Sequence, residues 1–212
     1  MARLRGTGRL ADEMYLLAHD DATGRPFLQS RALGVGLAGA LLGELMFAGA
    51  IWIRADQIDF TARGEPADEL GRQVLSMLLA EPVRYPVRDW LTVLAVTSAQ
   101  DVGRRLGHAG YLTQVRSRWR GTRWVPADPD AAFAPMIRVR AVMDPARPAT
   151  VSDAALAGLA VACGLGPRVL PYGPPGGRRA LDDATRHLHP GLRELIAQTQ
   201  AAVDSALLSH RV

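Results

Sequence analysis

The chain has 212 residues, 48% of them hydrophobic and 22% charged. That supplies enough apolar material for a buried core and excludes disorder throughout, and the length suits one generous domain or two small ones. Net charge is +4 and all 25 basic residues are arginine, so an acidic partner is permitted but not demanded.

Met1 to Arg9 is basic, but Leu10-Ala11-Asp12-Glu13 follows in place of an apolar stretch, so no secretory leader is predicted. Leu10, Met14 and Leu17 recur at helical spacing and predict a short amphipathic helix. Asp20-Asp21-Ala22-Thr23-Gly24 reads as a turn.

The segment Leu33 to Ile53 carries five glycines and one charge, Glu44. Its length permits a membrane span, but a carboxylate in its middle is expensive in lipid. A core helix from about Ala32 to Ala48, buried on all sides and stopped at Gly49, is the better reading. Glu44 then needs a structural partner, an arginine or a free backbone amide. Gly34-Val35-Gly36-Leu37-Ala38-Gly39 matches the glycine fingerprint of dinucleotide-binding folds. The residues before it, Gln29-Ser30-Arg31-Ala32-Leu33, are too polar for the central strand such a site requires. Gly36, Gly39 and Gly43 share a helical face instead, where they admit a neighbouring helix.

Ile51-Trp52-Ile53 predicts a short strand. Helices are predicted over Ala67–Ala80, Val87–Val96 and Ser98–Ala109, the last ended by Gly110. The pairs Asp12-Glu13 and Asp68-Glu69 fall at helix starts, where the helix dipole favours them. From Tyr111 to Val125, apolar and basic residues alternate and Gly121-Thr122 offers a turn, which predicts a projecting β-hairpin. Its Arg116, Arg118, Arg120 and Arg123 suit phosphates, and Trp119 and Trp124 suit a membrane interface. Alternation predicts most of these arginines on one face. Pro126 to Asp130 ends the hairpin.

Helices follow at Ile137–Met143 and Ser152–Cys163, the second capped by Ser152 and Asp153. Cys163 lies in an apolar run and reads as a small core residue; with one cysteine no internal disulfide forms, which fits a reducing compartment. Gly164 to Gly177 reads as a loop. Asp183, His187 and nearby His189 sit at helical spacing but lack the three or four ligands of a metal site. Pro190 starts a final helix whose face carries Leu192, Leu195, Ile196, Thr199, Val203, Ala206 and Leu207. The expected fold is mainly α: one domain over 1–212, a core helical bundle wrapped by amphipathic helices, with the hairpin and the short strand.

The stretch Leu10-Ala11-Asp12-Glu13-Met14-Tyr15-Leu16-Leu17-Ala18, the turn at Gly24, and Gly36-Leu37-Ala38-Gly39-Ala40-Leu41-Leu42-Gly43-Glu44-Leu45 through Ile51 together resemble the N-terminal half of the Golgi phosphoprotein 3 family. The later order fits too, with Trp90 in a helix, then Ala109-Gly110-Tyr111-Leu112, a hairpin and further helices. The resemblance implies an adaptor rather than an enzyme, cytoplasmic and peripherally attached to a membrane. Eukaryotic members bind phosphatidylinositol 4-phosphate and capture the cytoplasmic tails of glycosyltransferases. Their hairpin serves self-association and membrane contact, which here falls on residues 111–125.

The family's lipid pocket places a tryptophan and three arginines where this sequence has Gln29, Ala38, Val96 and Ala99. Arg31, Arg104 and Arg105 are the nearby candidates to replace them. The expected partners are therefore an anionic phospholipid surface, protein tails and a second copy through the hairpin, with no cofactor, metal or nucleic acid. The competing readings are a dinucleotide-type enzyme and a module that binds protein only.

Overall fold

A computed structural model describes residues 7–117 and 121–208. The chain opens with helix α1 (Leu10–Leu17) and the core helix α2 (Ser30–Phe47). A β-ribbon of β1 (Ile51–Arg54) and β2 (Gln57–Phe60) follows. Next come α3 (Glu69–Ala80), α4 (Val87–Ala95) and α5 (Ser98–His108). A second antiparallel ribbon, β3 (Leu112–Ser117) and β4 (Gly121–Pro126), precedes α6 (Pro129–Val142) and α7 (Val151–Ala162). A short helix α8 (Gly166–Val169) and a 3-10 turn (Leu170–Tyr172) lead to α9 (Gly177–Arg186) and α10 (Pro190–Leu208). The fold is mainly α, as the sequence predicts.

The centre of the bundle is α2, which packs against α1, α3, α4, α5, α7 and α10. It is long and apolar enough to cross a membrane, yet most of it is buried inside the protein. Its glycines are points of close approach. A Cβ at Gly34 would stand 2.4 Å from the Ala95 carbonyl oxygen, and one at Gly39 2.6 Å from Thr199 Oγ1. Gly36 and Gly43 make room in the same way for Cys163 and Leu10. The helix stops where Gly49 takes a positive φ of 68°. No strand feeds Gly34: the Gly34–Gly39 run lies wholly within the helix, and the residues leading into it are loop. The fingerprint's tight turn aimed at a pyrophosphate is thus not formed.

Several local expectations are corrected. Helix α1 is not amphipathic: all eight of its residues are buried, Asp12 and Glu13 included. The strand at Ile51 has a partner, β2, across a turn in which Ala55 and Asp56 both take positive φ. Gly121 and Thr122 are not a turn but the first residues of β4, paired with Ser117 and Arg116. Helix α6 begins at Pro129, eight residues before the predicted Ile137, behind the Asp128 cap. The cap of α7 is Thr150, whose hydroxyl accepts from the Asp153 amide at 3.1 Å. The loop from Gly164 contains α8 and the 3-10 turn.

Candidate functional site

The hairpin is packed at its base. Trp124 lies over α5, where Gly103 and Gly107 leave room for its indole; a Cβ at Gly107 would come within 2.4 Å of the ring. The ring is therefore committed to the protein rather than offered to a membrane. By register, residue 116 falls in the row of Leu112, Gln114 and Trp124, whereas Arg123 falls in the opposite row with Val115. Arg123 is thus set apart from the row of residue 116. Arg123 and Val115 are exposed, and Arg118, Trp119 and Arg120 lie outside the described residues.

Arg105 is not a surface cation. It is buried at the C-terminal half of α2, where four segments bring charges together. Its guanidinium donates to Asp12 from α1 at 2.8 Å, to both oxygens of Glu44 from α2 at 2.9 Å, and to Asp68, the cap of α3, at 3.2 Å. Glu44 also accepts from the Ala11 amide at 2.7 Å. It thus has both kinds of partner the sequence called for. Arg9 reaches Asp68 at 3.8 Å. Burial raises the Asp12 carboxyl to about 6, against the pull of Arg105. At Asp68 burial is outweighed by Arg105, the Gly71 amide and Arg9, and its pKa is lowered. Burial alone would lower the Arg105 pKa; Glu44, Asp12 and Asp68 together raise it.

A second buried carboxylate, Glu13, is paired with Arg138, which also meets Asp153 at 3.1 Å. Burial raises its pKa in spite of Arg138. Asp12, Glu13 and Asp68, expected only to favour helix dipoles, are the cross-links of the bundle. Arg104 is exposed and pairs with Asp101 on its own helix at 3.5 Å. At the far end of the chain, His187 Nδ1 lies 2.7 Å from the Asp183 carbonyl and the Asp183 carboxylate pairs with Arg186. Among the described residues no three such side chains converge as metal ligands would.

Of the three substitutes, Arg31 lines an open cleft. The start of α2, the end of α4 and the end of α10 meet around a groove of about 560 Å³. Arg31, Arg88, Ser30, Thr92 and Ser205 supply its polar groups; Val35, Ala95, Val96, Ala202 and Ala206 supply the rest. No carboxylate lines it, in a chain with 21 acidic residues. The first turn of α2 has no side-chain cap, so its amides remain available to an anion. Arg31 and Arg88 are the charged residues of its lining and set the sign of the groove. Arg88 is steadied by Gln198 of α10 at 3.3 Å, and Ser98 ties α5 to α2 by donating to the Gly34 carbonyl at 2.8 Å.

Arg88, Thr92 and Ser205 escaped the sequence reading because they come from helices far apart in the chain. Ala38, one of the family's pocket positions, is fully buried, whereas Val96 stands in the open at the groove.

A glycine-notched core helix wrapped by helices that ion pairs cross-link defines a mainly helical bundle with a small β-hairpin. The model of the Golgi phosphoprotein 3 (GPP34) family matches residues 10–207, and the chain belongs to that family. A search of curated proteins gives no match.

Proposed function

We propose that the protein is a cytoplasmic, peripheral membrane adaptor that binds anionic phospholipid, with no catalytic role. The groove carries this reading: two arginines line it, and no carboxylate does. Guanidinium grips phosphate oxygens through paired N–H donors. The family's full ring of cations is not built, since Ala38 is buried and Val96 is apolar. An anionic phospholipid held through its phosphate suits two arginines better than a headgroup monoester that needs several. Exposed Arg123 on the hairpin adds charge to the same task, and self-association through residues 111–125 and capture of protein tails complete the adaptor role.

The test is flotation with phosphatidylcholine vesicles, with and without phosphatidylglycerol. Binding is expected only with the anionic lipid and is expected to weaken as salt rises. Each arginine near an anionic surface contributes about 1 kcal/mol, so Arg31→Ala with Arg88→Ala should weaken binding roughly thirtyfold. Unchanged flotation of that double variant, with loss on replacing Arg116, Arg118, Arg120 and Arg123, would move the site to the hairpin. Binding to the purely neutral vesicles that is equally strong would sink the phospholipid reading.

A further inference from the structure

The groove is flanked by aliphatic side chains that the fold leaves in water. Val96, the residue that ends α4, is 83% exposed, and Val93 one turn earlier is 53% exposed. At the end of α10, Leu208 is 65% exposed and Leu207 37%. Gln198 meets Arg88, Ala202 and Ser205 line the groove, and Leu208 stands about one turn beyond Ser205 at the same end of α10. Single exposed aliphatics are ordinary on a soluble protein. Here Val96 lines the groove beside two arginines, and Val93, Leu207 and Leu208 lie on the same terminal stretches of α4 and α10 that border it. A protein partner with acidic side chains would match the arginines but leave these aliphatics without apolar cover. A bilayer offers phosphates and hydrocarbon within a few ångströms of each other, in that order of depth.

We propose that Val93, Val96 and Leu208 form an insertion wedge that enters the hydrocarbon of a bilayer while Arg31 and Arg88 hold phosphates above it. This rests on the lipid reading of the groove. It also fixes an orientation: the N-terminal end of α2 points toward the membrane. Phe47, at the other end of α2, is then about 26 Å further from the membrane, at 1.5 Å per residue.

The wedge is tested with single thiol probes. Cys163, the one native cysteine, is 1% exposed, so labelling falls on an introduced thiol. Val96→Cys, Leu208→Cys and Phe47→Cys are labelled in turn with an environment-sensitive nitrobenzoxadiazole dye and mixed with phosphatidylcholine–phosphatidylglycerol vesicles. The dye at 96 and 208 should shift to the blue and be quenched by acyl-chain nitroxides, while the dye at 47 stays in water. Val96→Asp should weaken flotation about tenfold, and at high salt as well as low. Vesicle binding with the dye at 96 and 208 still in water overturns the wedge and leaves the groove reading standing. Absence of vesicle binding removes both. A blue shift that needs no vesicles and grows with protein concentration assigns the patch to a second copy and overturns the wedge.

Discussion

At the scale of single residues the buried charges decide most. Arg105 neutralises three carboxylates from α1, α2 and the cap of α3, each within 3.2 Å. Removing it leaves Asp12 and Glu44 without a counter-charge, which costs about 3–5 kcal/mol. In a chain of this length that lowers the midpoint of thermal unfolding by roughly 10 °C, and calorimetry of Arg105→Met checks it. Asp12 behaves in the opposite sense. Its folded pKa of about 6 lies above its ordinary 3.8, because burial outweighs Arg105. The folded chain therefore takes up this proton before the unfolded chain does. The Asp12 contribution to stability rises as pH falls from about 6 to about 4, by on the order of 2–3 kcal/mol. Asp68, with its lowered pKa, contributes stability that disappears only at lower pH. Asp12→Asn should remove the Asp12 part of the rise between pH 6 and 4, leaving the part that Glu13 with its raised pKa supplies, and leave the protein no less stable at pH 7, as measured by urea unfolding at each pH. A loss of several kcal/mol at pH 7 would show that the ion pair outweighs desolvation. The need for a partner at Glu44 was legible from one carboxylate in an apolar helix. Which arginine answers was not, because Arg105 is 61 positions away and reads as surface until the helices pack.

At the scale of elements, legibility followed local signals. Gly49 and Gly110, both with positive φ, ended helices where the sequence placed the stops. The partner strand β2 was missed because Ala55 and Asp56 carry the positive φ of its turn, where Asn-Gly would have announced it. That turn is held from outside the ribbon, by Glu194 of α10 accepting from the Asp56 amide. The hairpin was legible as a hairpin, but its faces were not. A turn at Gly121-Thr122 would have set a different register, and the pocket that takes Trp124 is formed by two glycines of another element. The glycines of α2 were legible as small, and only packing shows how little space each has. At Gly34 the obstacle is the backbone of α4, which cannot rotate out of the way as a side chain can. Gly34→Ala should therefore cost about 1–3 kcal/mol through displacement of α4, despite the better helix propensity of alanine. Chemical denaturation gives the cost, and a stabilised variant would contradict the packing role. Because α4 carries Arg88 and Val96, the same variant should also weaken vesicle binding.

At the scale of the whole molecule, the groove exists only because the two ends of the chain meet. Residues 30–35, 88–96 and 202–206 line it, so no local motif announced it, and α10 closes it while packing along α2. Buried apolar residues from Leu10 to Val203 form one continuous cluster, with α2 at its centre. Such a core leaves no element that can melt without uncovering another's apolar face, so unfolding should be a single cooperative transition. Helix content by far-ultraviolet circular dichroism and tryptophan fluorescence report on different parts of the chain. Trp52 sits in the first ribbon, Trp90 in α4 and Trp124 in β4. Their urea midpoints should coincide, and Arg105→Met should shift both by the same amount. Two separated transitions would mean that part of the chain folds on its own. In that case a groove built from three distant stretches of the chain would open before the bundle melts, and membrane binding would be lost ahead of helix content.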